Sequence, residues 1–142
     1  MEPQYIDTSY LAPFYLPEAH SDAVEKNLLR LPKGTALISQ LVHAEFASLL
    51  SRKYRTKEIS EAHARQAMKA FETHLLTGAI GLIPIQSEDF QQAIAWIMAL
   101  RLPLRAPDVL HLAVAFRKNA IFWTLDRQLQ RAAKAVGLDT RK

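Results

Sequence analysis

Short apolar runs alternating with longer amphipathic stretches constrain this chain more than any other feature. Gln4-Tyr5-Ile6, Thr35 to Ser39, Leu82 to Ile85 and Ala120 to Thr124 are too short for helices and are bounded by turn-forming residues, as strands are. Between them, apolar residues recur at helical spacing: Val42, Phe46, Leu49 and Leu50, then Ala64, Ala67, Met68, Phe71 and Leu75, then Phe90, Ala93, Ile94, Ile97 and Met98. Val109 to Phe116 is apolar almost all round, the pattern of a deeply buried helix. Such alternation predicts one α/β domain over residues 1–142, with a mainly parallel sheet of four or five strands covered on both faces. Pro84 cannot donate a ladder hydrogen bond, so its strand belongs at an edge. Thr8 or Ser9 caps a short helix ending near Pro13, Ser60 caps another, and Gly137 closes the last one before a short fifth strand around Leu138.

Composition narrows the chemistry. The chain has no cysteine, which excludes disulfides, thiolate zinc sites and a cysteine nucleophile together. Its four glycines form neither a dinucleotide fingerprint nor a phosphate-cradling loop, and no HExxH or GxSxG pattern occurs. The histidines show no i,i+4 pairing of the kind that binds zinc. A formal charge of +4, from 18 basic and 14 acidic residues, is compatible with an anionic partner. The start of the chain lacks a basic and apolar leader and no stretch approaches membrane-spanning length, so the expected location is cytoplasmic.

Four acids remain: Asp7, Glu45, Asp108 and Asp126, each at or near a predicted helix start. Singly they have ordinary explanations. Asp7 suits a turn, Asp108 interacts favourably with a helix dipole, and Asp126 suits a cap. Glu45 flanks the apolar stripe of its helix and should be partly covered, so it needs a partner. Carboxylates gathered on the ligand-binding edge of a parallel sheet repel unless a proton or a cation is shared among them, and a hard dication such as Mg2+ is the usual reason for them. Thr8, Ser9 and Thr124 are placed to hold such carboxylates in position. His111, three residues beyond Asp108, reads either as a satisfied core histidine or as a site residue.

Tyr5-Ile6-Asp7-Thr8-Ser9, Val42-His43-Ala44-Glu45-Phe46, the run Leu104 to Ala115 containing Pro107-Asp108, and Trp123-Thr124-Leu125-Asp126-Arg127 together resemble the four motifs of PIN-domain ribonucleases. Their order, spacing and the chain length are most similar to the VapC-type toxins of toxin–antitoxin pairs. The resemblance implies a three-layer α/β/α sandwich, Mg2+- or Mn2+-dependent endonucleolytic cleavage of RNA, a homodimer, and a small antitoxin as partner. Carried onto this chain, it implies Asp7, Glu45, Asp108 and Asp126 as catalytic acids, with Asp7, Asp108 and Asp126 contacting metal and Thr8, Ser9 or Thr124 assisting.

Under that reading Arg52, Lys53, Arg105 and Arg127 bind phosphates of RNA, whereas the segment 52–57 alone reads equally as a solvated charged face. Three alternatives stay open: a housekeeping PIN nuclease without an antitoxin, a non-cleaving RNA-binding module with a structural cation, and an aspartyl-phosphate enzyme. The last is disfavoured, because no second acid follows Asp7 two residues on.

Overall fold

The computed structural model describes residues 1–142. Five strands form one fully parallel sheet: β1 (Gln4–Ile6), β2 (Ala36–Ser39), β3 (Gly81–Ile83), β4 (Ile121–Trp123) and β5 (Thr140–Arg141), in the order β3-β2-β1-β4-β5. Seven helices connect them: α1 (Thr8–Tyr15), α2 (Ser21–Leu29), α3 (Gln40–Arg55), α4 (Glu61–Leu76), α5 (Ser87–Met98), α6 (Ala106–Arg117) and α7 (Arg127–Ala135). The chain steps outward from β1 through β2 to β3, crosses back to β4, and continues outward to β5. Right-handed crossovers then put α1–α4 on one face and α5–α7 on the other.

Strand alternation assigns the faces. Tyr5 stacks on Phe122 at 5.7 Å and reaches α6, while Ile6 and Trp123 turn to α1, where Tyr10 meets Trp123 edge-on at 5.2 Å. Phe46, Phe71 and Tyr15 lock α1, α3 and α4 together. A separate small cluster of Ala93, Val109 and Ala113 joins α5 to α6. The direction of winding reverses between β1 and β4, and in open α/β sheets ligands bind at the carboxyl ends of the strands flanking that reversal. Asp7 directly follows β1, and Thr124 directly follows β4.

Pro84 ends β3 instead of lying within it, and β3 is an edge strand as expected. Pro13 does not end α1, which runs on to Tyr15. As the sixth helical residue it forgoes a bond to the Ser9 carbonyl, but its fixed φ is compatible with the helix and Leu16 N–H still reaches the Ala12 carbonyl at 3.0 Å. Ser60 caps α4 by accepting from His63 N–H, and Gly137, with φ of 95°, turns the chain from α7 toward β5. No helix is long and apolar enough to cross a membrane.

Candidate active site

Asp7 lies at the centre. Its extended backbone makes it the N-cap of α1, and both carboxylate oxygens are occupied. Oδ1 accepts from Tyr10 N–H at 3.0 Å and from Ser9 Oγ at 2.8 Å, and Oδ2 accepts from Thr124 Oγ1 at 2.7 Å. Only 3 % of the residue is exposed. Burial pushes its carboxyl up to about 6, against the opposing pull of the Thr124 hydroxyl, the His111 ring, Ser9 and the Tyr10 amide. Hydrogen bonds satisfy Asp7, but no lysine or arginine neutralises it, and none of the ion pairs of the molecule includes it.

Thr124 ties the two central strands together at this point. Besides donating to Asp7, its Oγ1 accepts from the Asp126 amide at 3.0 Å and stands 3.1 Å from Ser9 Oγ. Asp126 caps α7, its Oδ1 accepting from Gln128 and Leu129 N–H at 2.9 and 3.1 Å. The cap expected from sequence is therefore present, and it leaves Asp126 Oδ2 without an intramolecular partner.

Glu45 enters from the second turn of α3. Oε1 accepts from Thr8 Oγ1 at 2.7 Å and from His111 Nε2 at 2.6 Å, and the side chain is 32 % exposed. Burial opposes its ionisation, but the hydrogen bonds from His111 and Thr8 outweigh burial and hold the carboxyl below the ordinary range. Asp108 is the third residue of α6, a helix that runs back toward the start of β4, so its amino end lies at the same sheet edge. Burial raises the Asp108 carboxyl, the charges of Asp126 and Glu45 raise it further, and His111 and Arg105 act against the rise. Asp108 thus shares one electrostatic neighbourhood with Asp126 and Glu45, and His111 acts on Asp7, Glu45 and Asp108 alike.

They do not close on one point. No three acidic or histidine side chains stand together at ion-holding distance. The hydrogen bonds give the reason: Asp7, Glu45 and Asp126 are each turned toward donors of the protein itself. The donor set still fits a hard dication in kind, being all oxygen and carrying an excess of negative charge. Mg2+ suits such a place, because it commonly takes only one or two carboxylates and retains several waters.

An open cleft of about 630 Å³ leads away from these residues. One face of α3 forms its wall, with Glu45, Ser48, Leu49, Arg52 and Lys53 at i, i+3, i+4, i+7 and i+8. Asp126 and Ser9 line the opposite side, and His20 the rim. Asp7 lies beneath Thr8 and Ser9, outside the lining, and Asp108 is also outside it. Arg105 and Arg127 do not line this cleft; Arg105 is the residue preceding α6 and acts on Asp108, while Arg127 is the exposed first residue of α7. Sequence reasoning missed Tyr5 and Ser39, both bonded at this edge, and His20 at the rim. For Tyr5 a signal existed, since it precedes Asp7 by two along a strand and shares its face.

No curated protein sequence matches the chain. Solved structures do. VapC20 of Mycobacterium tuberculosis, described as a toxin that cleaves the sarcin–ricin loop, is 19% identical and superposes with a TM-score of 0.71 over 94% of this chain and 95% of its own. VapBC2 of Rickettsia felis, bound to a fragment of promoter DNA, gives 18%, 0.72, 97% and 96%, and FitAcB of Neisseria gonorrhoeae gives 16%, 0.73, 97% and 96%. At such identities the likeness is one of fold. The PIN-domain family model matches residues 5–135, nearly the whole chain. With the parallel sheet, its reversal point and the acids gathered there, this match establishes that the chain belongs to the PIN-domain family.

Proposed function

We propose that this protein is a metal-dependent endoribonuclease acting as the toxin of a toxin–antitoxin pair. The observation that carries the reading is Asp7: a carboxylate buried at the reversal point of the sheet and paired with no lysine or arginine, at the edge where Asp108 feels the charges of Asp126 and Glu45. Burial opposes its charge, and a bound cation would favour the ionised form. The family membership supports the nuclease reading, and the fold shared with VapC and VapBC proteins supports the toxin and antitoxin assignments.

In this reading Asp7, Asp108 and Asp126 hold Mg2+ or Mn2+, Glu45 orients the attacking water, and Thr8, Ser9 and Thr124 fix the carboxylates. The bound ion supplies charge neutralisation at the scissile phosphate and makes water a better nucleophile. Asp126 Oδ2 and Glu45 Oε2, free of internal partners, face the incoming strand. The test is cleavage of defined RNAs by purified protein in Mg2+, in Mn2+ and in chelator, with Asp108→Asn alongside. Metal-dependent products that vanish in the variant are expected. RNA binding without cleavage under every metal condition would instead establish a non-cleaving module.

Arg52 lies seven residues beyond Glu45 on the wall of the cleft, roughly 10 Å along the helix at 1.5 Å per residue, a reach suited to phosphates flanking the cut. Lys53 is shared at 3.6 Å with the exposed Glu58, a pair that RNA can displace. Replacing both Arg52 and Lys53 by alanine should weaken RNA binding and reduce the slope of log affinity against log salt by about 1.4, the single-strand value for two lost contacts. An unchanged slope would remove these two residues from the RNA site.

The homodimer has a surface to use. Phe90, Ile94 and Met98 form an i, i+4, i+8 stripe on the outer side of α5, exposed at 49%, 60% and 66%, and Leu100 stands beside it with φ of 64°. Ile94→Glu would place a charge in that stripe. Sedimentation should show a dimer for the parent protein and a monomer of unchanged circular dichroism for the variant.

A further inference from the structure

Four buried or half-buried groups from four elements form one unbroken chain of hydrogen bonds ending on Glu45. Ser39 Oγ, at the end of β2, is 2.9 Å from Tyr5 Oη on β1. Tyr5 Oη is 2.7 Å from His111 Nδ1 on α6, and His111 Nε2 is 2.6 Å from Glu45 Oε1 on α3. Tyr5 and Ser39 are fully buried and His111 is 2% exposed, so water does not compete for these bonds. No lysine or arginine takes part.

The directions of the bonds follow from the partners. A carboxylate only accepts, so Nε2 carries a hydrogen toward Glu45. With the ring neutral, Nδ1 is left as an acceptor and Tyr5 Oη donates to it. Tyr5 oxygen is then left to accept from Ser39, whose hydroxyl makes no cap to α3 and has no other side-chain partner. Every hydrogen in the chain points toward Glu45. Thr8 Oγ1 donates to the same Oε1, so one oxygen is held by two donors while Oε2, on a residue that lines the cleft, has no intramolecular partner.

We propose that His111 is the positioning residue for Glu45, held in its Nε2–H tautomer by Tyr5 and Ser39, so that Glu45 acts through Oε2 alone. The proposal rests on the reading of Glu45 as the group that orients the attacking water. It assigns to Tyr5, His111 and Ser39 a role in cleavage although none of them reaches the substrate. An unanchored Glu45 would sample several rotamers on the half-exposed wall of α3, and Thr8 alone would restrain it to a cone.

Two measurements test this, one without activity. In protein labelled with 15N-histidine at pH 7.5, long-range proton–nitrogen correlation should show His111 with Nε2 protonated and Nδ1 bare. Tyr5→Phe, which keeps the stack on Phe122, should move those shifts toward the average of exchanging tautomers. An Nδ1–H ring or an imidazolium in the parent protein would overturn the proposal. In cleavage assays His111→Ala should lower kcat about 10–100-fold with KM for RNA unchanged, as loss of an outer partner does. His111→Gln, whose amide N–H can still reach Oε1, should recover most of that loss. Wild-type kcat in a folded His111→Ala protein would equally overturn it, and should that variant not fold, the kcat of Tyr5→Phe and His111→Gln decides in its place. A parent protein that never cleaves RNA would sink the nuclease reading instead, while the nitrogen spectrum still judges the bond chain.

Discussion

Asp7→Asn is expected to abolish cleavage and, at the same time, to raise the melting temperature of the metal-free protein at pH 8. The two effects have one cause. The Asp7 carboxyl titrates near 6 in the folded protein against an ordinary value of 3.8, because burial penalises its charge. Above pH 6 the folded state therefore holds an ionised group that the unfolded chain carries at lower cost. The folded protein takes up a proton first as pH falls, so its stability rises between about pH 6 and pH 4 and changes no further from this group below that. The ionised form costs on the order of 3 kcal/mol at pH 8, which the isosteric amide avoids. For a domain of this size that is roughly 5–10 °C, reduced by weaker bonds from Ser9 and Tyr10 to a neutral acceptor. Thermal melts at pH 8 and pH 4 should show the gain at the first and its loss at the second. Adding Mg2+ should raise the melting point of the parent protein only, since a ligand stabilises the state that binds it. Cleavage should fall about a thousandfold or more, the scale of several kcal/mol of transition-state stabilisation. An Asp7→Asn protein that melts lower at pH 8 than its parent would show that Asp7 is a structural cap with no latent cation site.

The same residue shows what the sequence could and could not convey. The βα alternation was legible because strands of two to four residues and helices of eight to sixteen differ in period and in length. Strand β3 was legible as an edge from Pro84 alone. The acids read as a set because Asp7 follows β1 and Asp126 lies just beyond β4, and the structure brings them to one edge without closing them on one point. What no local pattern carries is the third partner of each acid. Thr124 meets Asp7 across 117 positions, and His111 meets Glu45 across 66. Asp126 illustrates the opposite case, for its expected role as a helix cap is present, and one oxygen still remains for other chemistry. His111 likewise satisfies both readings given to it: each nitrogen is bonded, as in any well-made core, and one bond ends on a candidate catalytic acid. Pro13 misled because a proline in the second turn of a helix removes one bond without preventing the turn that follows.

Arg117→Met should be strongly destabilising although it lies outside the site. Asp89, in the first turn of α5, is 1% exposed, and Arg117 at the far end of α6 donates to it twice, from Nε at 2.7 Å and from Nη2 at 3.0 Å. The same Nη2 donates to the Pro84 carbonyl at 3.0 Å, so one guanidinium ties the end of β3, the start of α5 and the end of α6 together. Removing it leaves a buried carboxylate with only the Gln86 amide, at 2.9 Å, to satisfy it. An uncompensated buried charge of this kind costs roughly 3–5 kcal/mol, most of a small domain's stability. Urea unfolding should show the loss as a lower midpoint at similar slope. Adding Asp89→Leu should recover a large part of it, because the penalty lies in the orphaned charge and not in the lost attraction. Cleavage per folded molecule should stay near that of the parent protein. Arg117 lies nine residues beyond Asp108, about 13 Å along α6, and the intervening Val109, Leu112 and Ala113 are buried in packing of their own. The half of α6 that carries Asp108 and His111 is therefore held by its own apolar contacts, and the ion pair at its other end sets how long the molecule stays folded, not how the acids are arranged.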